Sequence, residues 1–218
     1  VTGKPIFILD DRIHSAPQKN DWLGSVVHGF SVLGDPAWIV IQGNQLYHDA
    51  DGCYSYRHVC TLPRYCGEWT YVGYTCTIGE QIFTCPVYEQ EITKIEDGTV
   101  YTIPLRQVEL KEASFRGIAA CGDYVFMIPN RYPALVQYNA KTGEIRYFEE
   151  RSDFFIQEFK GETRVCGFCT QGNTLYLSSP TSNQVLALDA VTGSQIIYTL
   201  AAEELCGIFG MESIGDEL

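Results

Sequence analysis

Apolar and polar residues alternate in short runs along this chain, and each run stops at a glycine. The pattern is clearest in four stretches that align with one another, at 28–42, 72–86, 116–129 and 166–180. Alternation with a period of two is typical of a β-strand, and glycine supplies the positive φ that a tight turn needs. Each stretch therefore predicts a strand, a turn and a second strand.

A second set of stretches continues these pairs, at 45–59, 91–105, 135–149 and 185–200. Each contains an Asp-Gly or Thr-Gly step between residues that favour strands. Such a step is typical of a β-hairpin. One repeating unit thus comprises four consecutive strands.

Five glycines mark the repeat at intervals of 44, 44, 50 and 40 residues: Gly29, Gly73, Gly117, Gly167 and Gly207. Four strands in a unit of this length are typical of a β-propeller blade. We predict an all-β fold, a β-propeller built from four-stranded antiparallel blades of about 44 residues. Complete blades are expected at 26–62, 70–105, 115–149 and 165–200.

The two ends of the chain predict partial blades, at 1–10 and 205–211. "VTGKPIFILD", Val1 to Asp10, repeats "VTGSQIIYTL", Val191 to Leu200, and so matches the last turn and strand of a blade. Cys206 to Met211 matches a first strand. Residues 1–218 are expected to form a single propeller or a piece of one. Three explanations stay open: a fragment of a larger propeller, one degenerate blade, or an assembly completed by self-association or by another chain.

The charge of the chain restricts its partners. Its formal net charge is −12 over 218 residues, which opposes the binding of nucleic acid and of anionic membranes. No window of 18 apolar residues is present, and the N-terminus lacks a basic stretch followed by an apolar run. Neither a membrane span nor a signal peptide is therefore visible, and because the cysteines described next are expected to be free thiols, which suggest a reducing compartment, we predict a cytoplasmic protein. A secreted form with a cleaved signal stays open, because the sequence begins at Val1.

Nine cysteines raise the question of disulfides or zinc. Their number is odd and their spacings do not form paired zinc knuckles. The one C-x-x-C, Cys166 to Cys169, lies in a strand-like segment, where residues three apart point to opposite faces. We predict buried, reduced thiols, no metal and no cofactor.

Two segments carry a resemblance to known families. "LALDAVTGSQIIY" and "VQYNAKTGEIRYF" resemble the turn of quinoprotein-type propeller repeats, although Ile197 and Tyr147 stand where those repeats have tryptophan. Residues 122–150 are similar to blades of streptogramin-lyase-like and NHL-like propellers. The resemblance implies a propeller fold, and it transfers no catalytic residue.

By analogy with other propellers, a ligand is expected at the mouth of the central channel, where first strands begin and the loops between second and third strands lie. These loops are expected at 86–90, 129–133 and 180–183. We predict that five residues converge on this mouth: His28, Arg116, Asn130, Arg131 and Tyr132. The alternative is that these polar residues only line a water-filled channel.

The interval of 50 residues before Gly167 contains a longer link, Arg151 to Arg164, which carries Phe154, Phe155 and Phe159. Two interpretations stay open for it. The aromatic residues cap the mouth or meet a partner, or the link packs as an extra strand or short helix on its own blade.

Two classes of function follow. The first is a binding or interaction module that takes a small anionic ligand or a protein partner at the channel mouth. The second is an enzyme of lyase or hydrolase type acting on a small anionic or cyclic substrate, with His28 as a candidate base. The pattern favours the binding module, because no carboxylate cluster accompanies the cationic residues.

Overall fold

The computed structural model describes the strands and loops of four consecutive sheets. The described residues are 25–28, 38–42, 45–49, 57–62, 72–86, 88–110, 114–149, 157–159, 162–164, 167–179, 181–201, 208 and 211. Side chains are described at 60–62, 75–85, 88–110, 114–149, 167–179, 181–201, 208 and 211.

All the regular elements of these residues are β-strands. The first two sheets comprise β1 Ser25–His28, β2 Trp38–Gln42, β3 Gln45–Asp49, β4 Arg57–Thr61, β5 Val72–Ile78, β6 Gln81–Pro86, β7 Glu91–Glu96 and β8 Thr99–Pro104. The third comprises β9 Phe115–Cys121, β10 Tyr124–Pro129, β11 Leu135–Asn139 and β12 Ile145–Phe148. A hairpin follows, β13 Gln157–Phe159 and β14 Glu162–Arg164, and the fourth sheet comprises β15 Phe168–Gln171, β16 Thr174–Ser178, β17 Gln184–Asp189 and β18 Gln195–Thr199.

Each four-stranded sheet is antiparallel, and its strands lie in the order in which the chain forms them. Short turns make this order possible. Between β7 and β8, Asp97 and Gly98 both have positive φ, 50° and 73°. A two-residue turn of this kind matches the right-handed twist of the strands that it joins.

The first strands of the sheets lie side by side. β1 contacts β5, β5 contacts β9, and β9 contacts β15. The sheets thus meet at their first strands, and the fourth strand of each sheet lies farthest from that contact. This is the arrangement of propeller blades around a central axis. The predicted all-β propeller fold is confirmed. We call the four sheets the first to fourth blades.

Each middle blade is buried on both faces. On β10, Val125 and Met127 pack with residues of the second blade, whereas Phe126 and Ile128 pack with residues of the fourth. Because successive side chains of a strand point to opposite faces, β10 contributes side chains to the core on each side of its blade. All four side chains are fully buried.

The contact between the third and fourth blades depends on a glycine of the repeat. A Cβ atom added at Gly117 would lie 2.6 Å from Cε1 and Cζ of Phe168, the residue that follows Gly167. On its other side, the carbonyl oxygen of Gly117 accepts a hydrogen bond from Cys85 Sγ of the second blade at 3.6 Å. Gly117 therefore lets three blades approach one another.

Parts of the sequence predictions fall outside the described residues. Residues 1–10 and most of 205–211 lie outside the described residues, so their assignment to partial blades stays a prediction. The predicted limits of the four complete blades stay predictions as well. The link before the fourth blade contains the hairpin of β13 and β14, and Phe154 and Phe155 lie outside the described residues. Among the helices and strands that the structure describes, no helix is long and apolar enough to cross a membrane.

Five cysteines in the described part of the chain are free thiols: Cys60, Cys76, Cys85, Cys121 and Cys169. Three of them are buried: Cys60, Cys85 and Cys121. Burial raises the pKa of the Cys60 and Cys121 thiols to about 11, and it also raises the pKa of Cys76. At neutral pH these thiols stay protonated, and only the thiolate is nucleophilic.

We expect Gly117→Ala to destabilise the protein, because the added methyl group must displace the ring of Phe168. Overpacking of this kind costs about 1–3 kcal/mol of unfolding free energy. Urea unfolding measures the change. Phe168→Leu in the same chain should restore part of the loss, and failure of this rescue would mean that the two residues are not coupled.

We expect Cys60 and Cys121 to react slowly with a thiol reagent at pH 7.5 in the native protein. Their labelling should accelerate as the pH rises toward 11, because the raised pKa delays thiolate formation. All nine cysteines should react in denaturant. Peptide mapping of the labelled sites measures this, and rapid native labelling of Cys121 at neutral pH would contradict it.

Candidate functional site

One end of the blades carries both the starts of the first strands and the loops between second and third strands. Val72 pairs with Pro86 in the second blade, and Phe115 pairs with Pro129 in the third. Each pair joins the start of a first strand to the end of a second. We call this end of the described blades the mouth face.

Ser114 organises the mouth face between the second and third blades. Its carbonyl oxygen accepts hydrogen bonds from the backbone N–H groups of Asn130, Arg131 and Tyr132, at 2.8, 3.2 and 3.1 Å. Its hydroxyl donates to the carbonyl oxygen of Tyr88 at 3.1 Å. A single buried serine thus joins the loops of two blades.

Arg116 lies next to this junction, on the innermost strand of the third blade. Its neighbour Phe115 is fully buried, whereas Arg116 itself is exposed. Within the described residues the Arg116 side chain has no hydrogen bond or ion pair. By contrast, Arg106 pairs with Glu149 at 2.6 Å and Arg146 pairs with Glu144 at 3.3 Å.

The loop that Ser114 holds contains two more predicted site residues. Asn130 is 5% exposed and Arg131 is half-buried. Both therefore lie beside Ser114 and near the start of β9. The structure places this loop and Arg116 at the same end of the third blade, and their role as a binding site stays a prediction.

Tyr132 belongs to the core instead. It is fully buried, its ring lies 4.8 Å from that of Phe115, and its hydroxyl donates to the carbonyl oxygen of Arg106 at 2.7 Å. Burial, with Tyr147 close by, raises the pKa of Tyr132 to about 12. The hydroxyl therefore remains a donor, and it is engaged by the chain's own backbone.

His28 does not hold the position that repeat alignment gives it. In the first blade Ser25 pairs with Gln42 at the mouth end, and His28 pairs with Ile39 three steps further along. His28 and Arg116 therefore occupy different depths of their strands, and the side chain of His28 lies outside the described residues. Residues 29–37 separate β1 from β2, whereas only two residues, 79 and 80, separate β5 from β6.

Sequence reasoning missed Ser114 and singled out its partner Tyr88 only as part of a loop. Tyr88 is 45% exposed, one of the few large apolar side chains with such exposure in the described blades. A serine before a strand carries no distinctive signal, because its role here depends on a carbonyl oxygen that any residue possesses. Among the described residues, no group of three His, Cys, Asp or Glu side chains is placed to hold a metal ion.

Comparison with known proteins identifies the fold. No family model matches the chain, and no curated protein matches it in sequence. A streptogramin B lyase structure is 16% identical, with a TM-score of 0.54, over 85% of this chain and 62% of that one. AztD from Citrobacter koseri is 14% identical, with a TM-score of 0.50, over 86% of this chain and 51% of that one.

A chain in a mitotic checkpoint complex is also similar, at 14% identity and a TM-score of 0.52, over 75% of this chain and 46% of that one. This chain thus spans less than two thirds of the length of these structures. The similarity shows the propeller fold and leaves activity and partners to be proposed. The quinoprotein resemblance stays a prediction.

We expect Tyr132→Phe to lower the unfolding free energy by about 0.5–1.5 kcal/mol, the usual contribution of one hydrogen bond. The change removes the donor to the Arg106 carbonyl and leaves the packing of the ring in place. Urea unfolding measures the loss. Tyr124→Phe is the control, since its hydroxyl has no hydrogen bond within the described residues; an equal loss in both variants would contradict the role of the Tyr132 hydroxyl.

Proposed function

We propose that this chain is a binding module whose mouth face takes a small carboxylate ligand, or the carboxylate of a protein partner, beside Arg116. One observation carries the proposal: an exposed guanidinium without an ion pair in the described blades, on the innermost strand of a protein with a net charge of −12. In such a protein most cations are expected to pair with the abundant carboxylates, as Arg106 and Arg146 do.

The chemistry of arginine favours this class of ligand. A guanidinium presents a planar set of N–H donors that matches the two oxygens of a carboxylate. The acidic remainder of the chain repels anions at a distance. Binding should therefore depend on short-range contacts at the mouth. Affinity should rise as added salt screens the long-range repulsion, and it should fall at higher salt, which also weakens the contact between guanidinium and carboxylate.

The loop beside Arg116 supports the proposal through its rigidity. Three backbone N–H groups hold it to one carbonyl oxygen of Ser114, so little conformational entropy remains to be lost on binding. Arg131, half-buried in this loop, adds a second positive charge to the same end of the blade. Both features support a preformed site.

The enzymatic alternative has less support. A lyase or hydrolase needs a base at the mouth, and the candidate base is His28. His28 pairs with Ile39, three residue pairs away from the mouth end of β1. Arg116 cannot act as a base at neutral pH, since a guanidinium stays protonated. We therefore retain the binding module as the proposed function.

The test is a thermal-shift titration with succinate and with its uncharged analogue succinamide. Ligand at ten times its Kd should add about 1.4 kcal/mol of stability, which raises Tm by roughly 3–5 °C in a protein of this size. Succinamide should have little effect. Arg116→Glu should abolish the succinate shift while leaving the basal Tm nearly unchanged, because the side chain is exposed.

Arg146→Glu is the matched control, because it makes the same change in net charge on the outer strand of the same blade. It should keep the succinate shift. Loss of the shift in both variants would show a general charge effect, and retention in Arg116→Glu would show that Arg116 does not bind the ligand. Either result would overturn the proposal.

A further inference from the structure

A half-exposed tyrosine lies on the mouth face. Tyr88 is 45% exposed and belongs to the loop between the second and third strands of the second blade. The other large apolar side chains with comparable exposure in the described part of the chain lie on or next to the outer strands of their blades: Tyr101, Val191, Ile196, Tyr198 and Leu200. Among the described residues, Tyr88 is thus the large exposed aromatic side chain of the mouth-face loops.

The backbone that carries Tyr88 is held by both neighbouring segments. Its carbonyl oxygen accepts the hydrogen bond from Ser114 Oγ at 3.1 Å. Two residues later, Gln90 binds the segment that follows β8: its Nε2 donates to the carbonyl oxygen of Val108 at 2.7 Å, and its Oε1 accepts from the Val108 N–H at 2.6 Å. The ring of Tyr88 is therefore carried by a preorganised loop, and little loop ordering has to occur on binding.

Ser114 brings Tyr88 and Arg116 close together. It contacts the Tyr88 carbonyl oxygen directly, and it precedes Arg116 by two residues, which at the rise of a strand is about 7 Å. Both Tyr88 and Arg116 have exposed side chains. A ring and a guanidinium whose backbones are this close can contact the two ends of one small molecule.

The two groups recognise different parts of a ligand. A guanidinium binds a carboxylate through paired N–H donors. An exposed aromatic ring packs against another ring, offset or edge to face, and removes apolar surface of both rings from water. A short aliphatic acid uses the first contact alone, whereas a ligand that carries both a ring and a carboxylate uses the two together.

The charge of the protein favours a ligand of this kind. In a chain with a net charge of −12, each further negative charge on a ligand adds long-range repulsion, whereas an apolar ring adds none. A single carboxylate with an aromatic group therefore gains affinity without that cost.

We propose that the ligand of the mouth face is an aromatic carboxylate, with its acid group on Arg116 and its ring against Tyr88. This inference rests on the proposed function, because it uses the same guanidinium. The same chemistry is present in a free arylalkanoic acid and in the C-terminal phenylalanine, tyrosine or tryptophan of a protein.

Isothermal titration calorimetry of the full chain compares 3-phenylpropionate with propionate, with 3-phenylpropanamide and with N-acetylphenylalanine. Ring packing and the apolar burial that accompanies it should make 3-phenylpropionate bind about five to ten times more tightly than propionate. The amide should bind more weakly than 3-phenylpropionate, because it lacks the carboxylate. Tighter binding of N-acetylphenylalanine than of 3-phenylpropionate would identify a C-terminal residue as the source, and weaker binding a free acid.

Three variants test the role of the ring. Tyr88→Ala should lower the affinity for 3-phenylpropionate to that for propionate and leave propionate binding unchanged. Tyr88→Phe should keep the preference, because the ring makes the contact and the hydroxyl does not. Tyr101→Ala is the matched control, since it removes a tyrosine of equal exposure, 45%, from the outer strand of the same blade, and it should keep the preference.

Equal affinities of the unaltered chain for 3-phenylpropionate and propionate would overturn the inference, as would an undiminished preference in Tyr88→Ala. The proposed function is tested separately, because the succinate shift and its loss in Arg116→Glu do not involve Tyr88. A succinate shift without any aromatic preference would refute the inference and leave the proposed function standing. Undiminished binding of both acids by Arg116→Glu would refute both.

Discussion

The close approach of neighbouring blades at their first strands is the constraint on which this structure depends. Gly117 meets the ring of Phe168 on one side and accepts a hydrogen bond from Cys85 on the other. Any side chain at that position would hold the third and fourth blades apart. Their common core, which includes Phe126 and Leu186, is closed only at the present spacing, since apolar packing weakens steeply over gaps of a fraction of an ångström.

A second property follows from this spacing: a blade completes its hydrophobic burial only between two neighbours. The third blade has such neighbours, and the four apolar side chains of β10 are buried on its two faces. Among the described residues, no further blade covers the outer strand of the fourth blade, and there Ile196 and Tyr198 are exposed. Stability in this architecture is therefore shared between blades, as in other repeat proteins, rather than held within each.

The sequence was sufficient to predict the strands, the turns and the glycine repeat, because each depends on local chemistry. Asp97 and Gly98, for example, specify their turn whatever surrounds them. Side-chain burial was less predictable. Tyr132 sits in a polar loop, yet the fold turns it onto Phe115. The position of His28 was inferred from the glycine repeat, whereas in the structure Ser25 is the residue of β1 that pairs with the end of β2. Alignment by glycines does not detect such a difference of register.

The proposed binding surface on the mouth face is built from contacts that also serve folding. Ser114 holds its loop through a backbone carbonyl oxygen, and Tyr132 anchors the same loop to the core through its ring and hydroxyl. These contacts fix the backbone and leave few side chains free to vary. Under the proposed function, recognition falls to a residue that these contacts do not use: Arg116 is exposed on the first strand of the third blade, beside the loop that Ser114 holds.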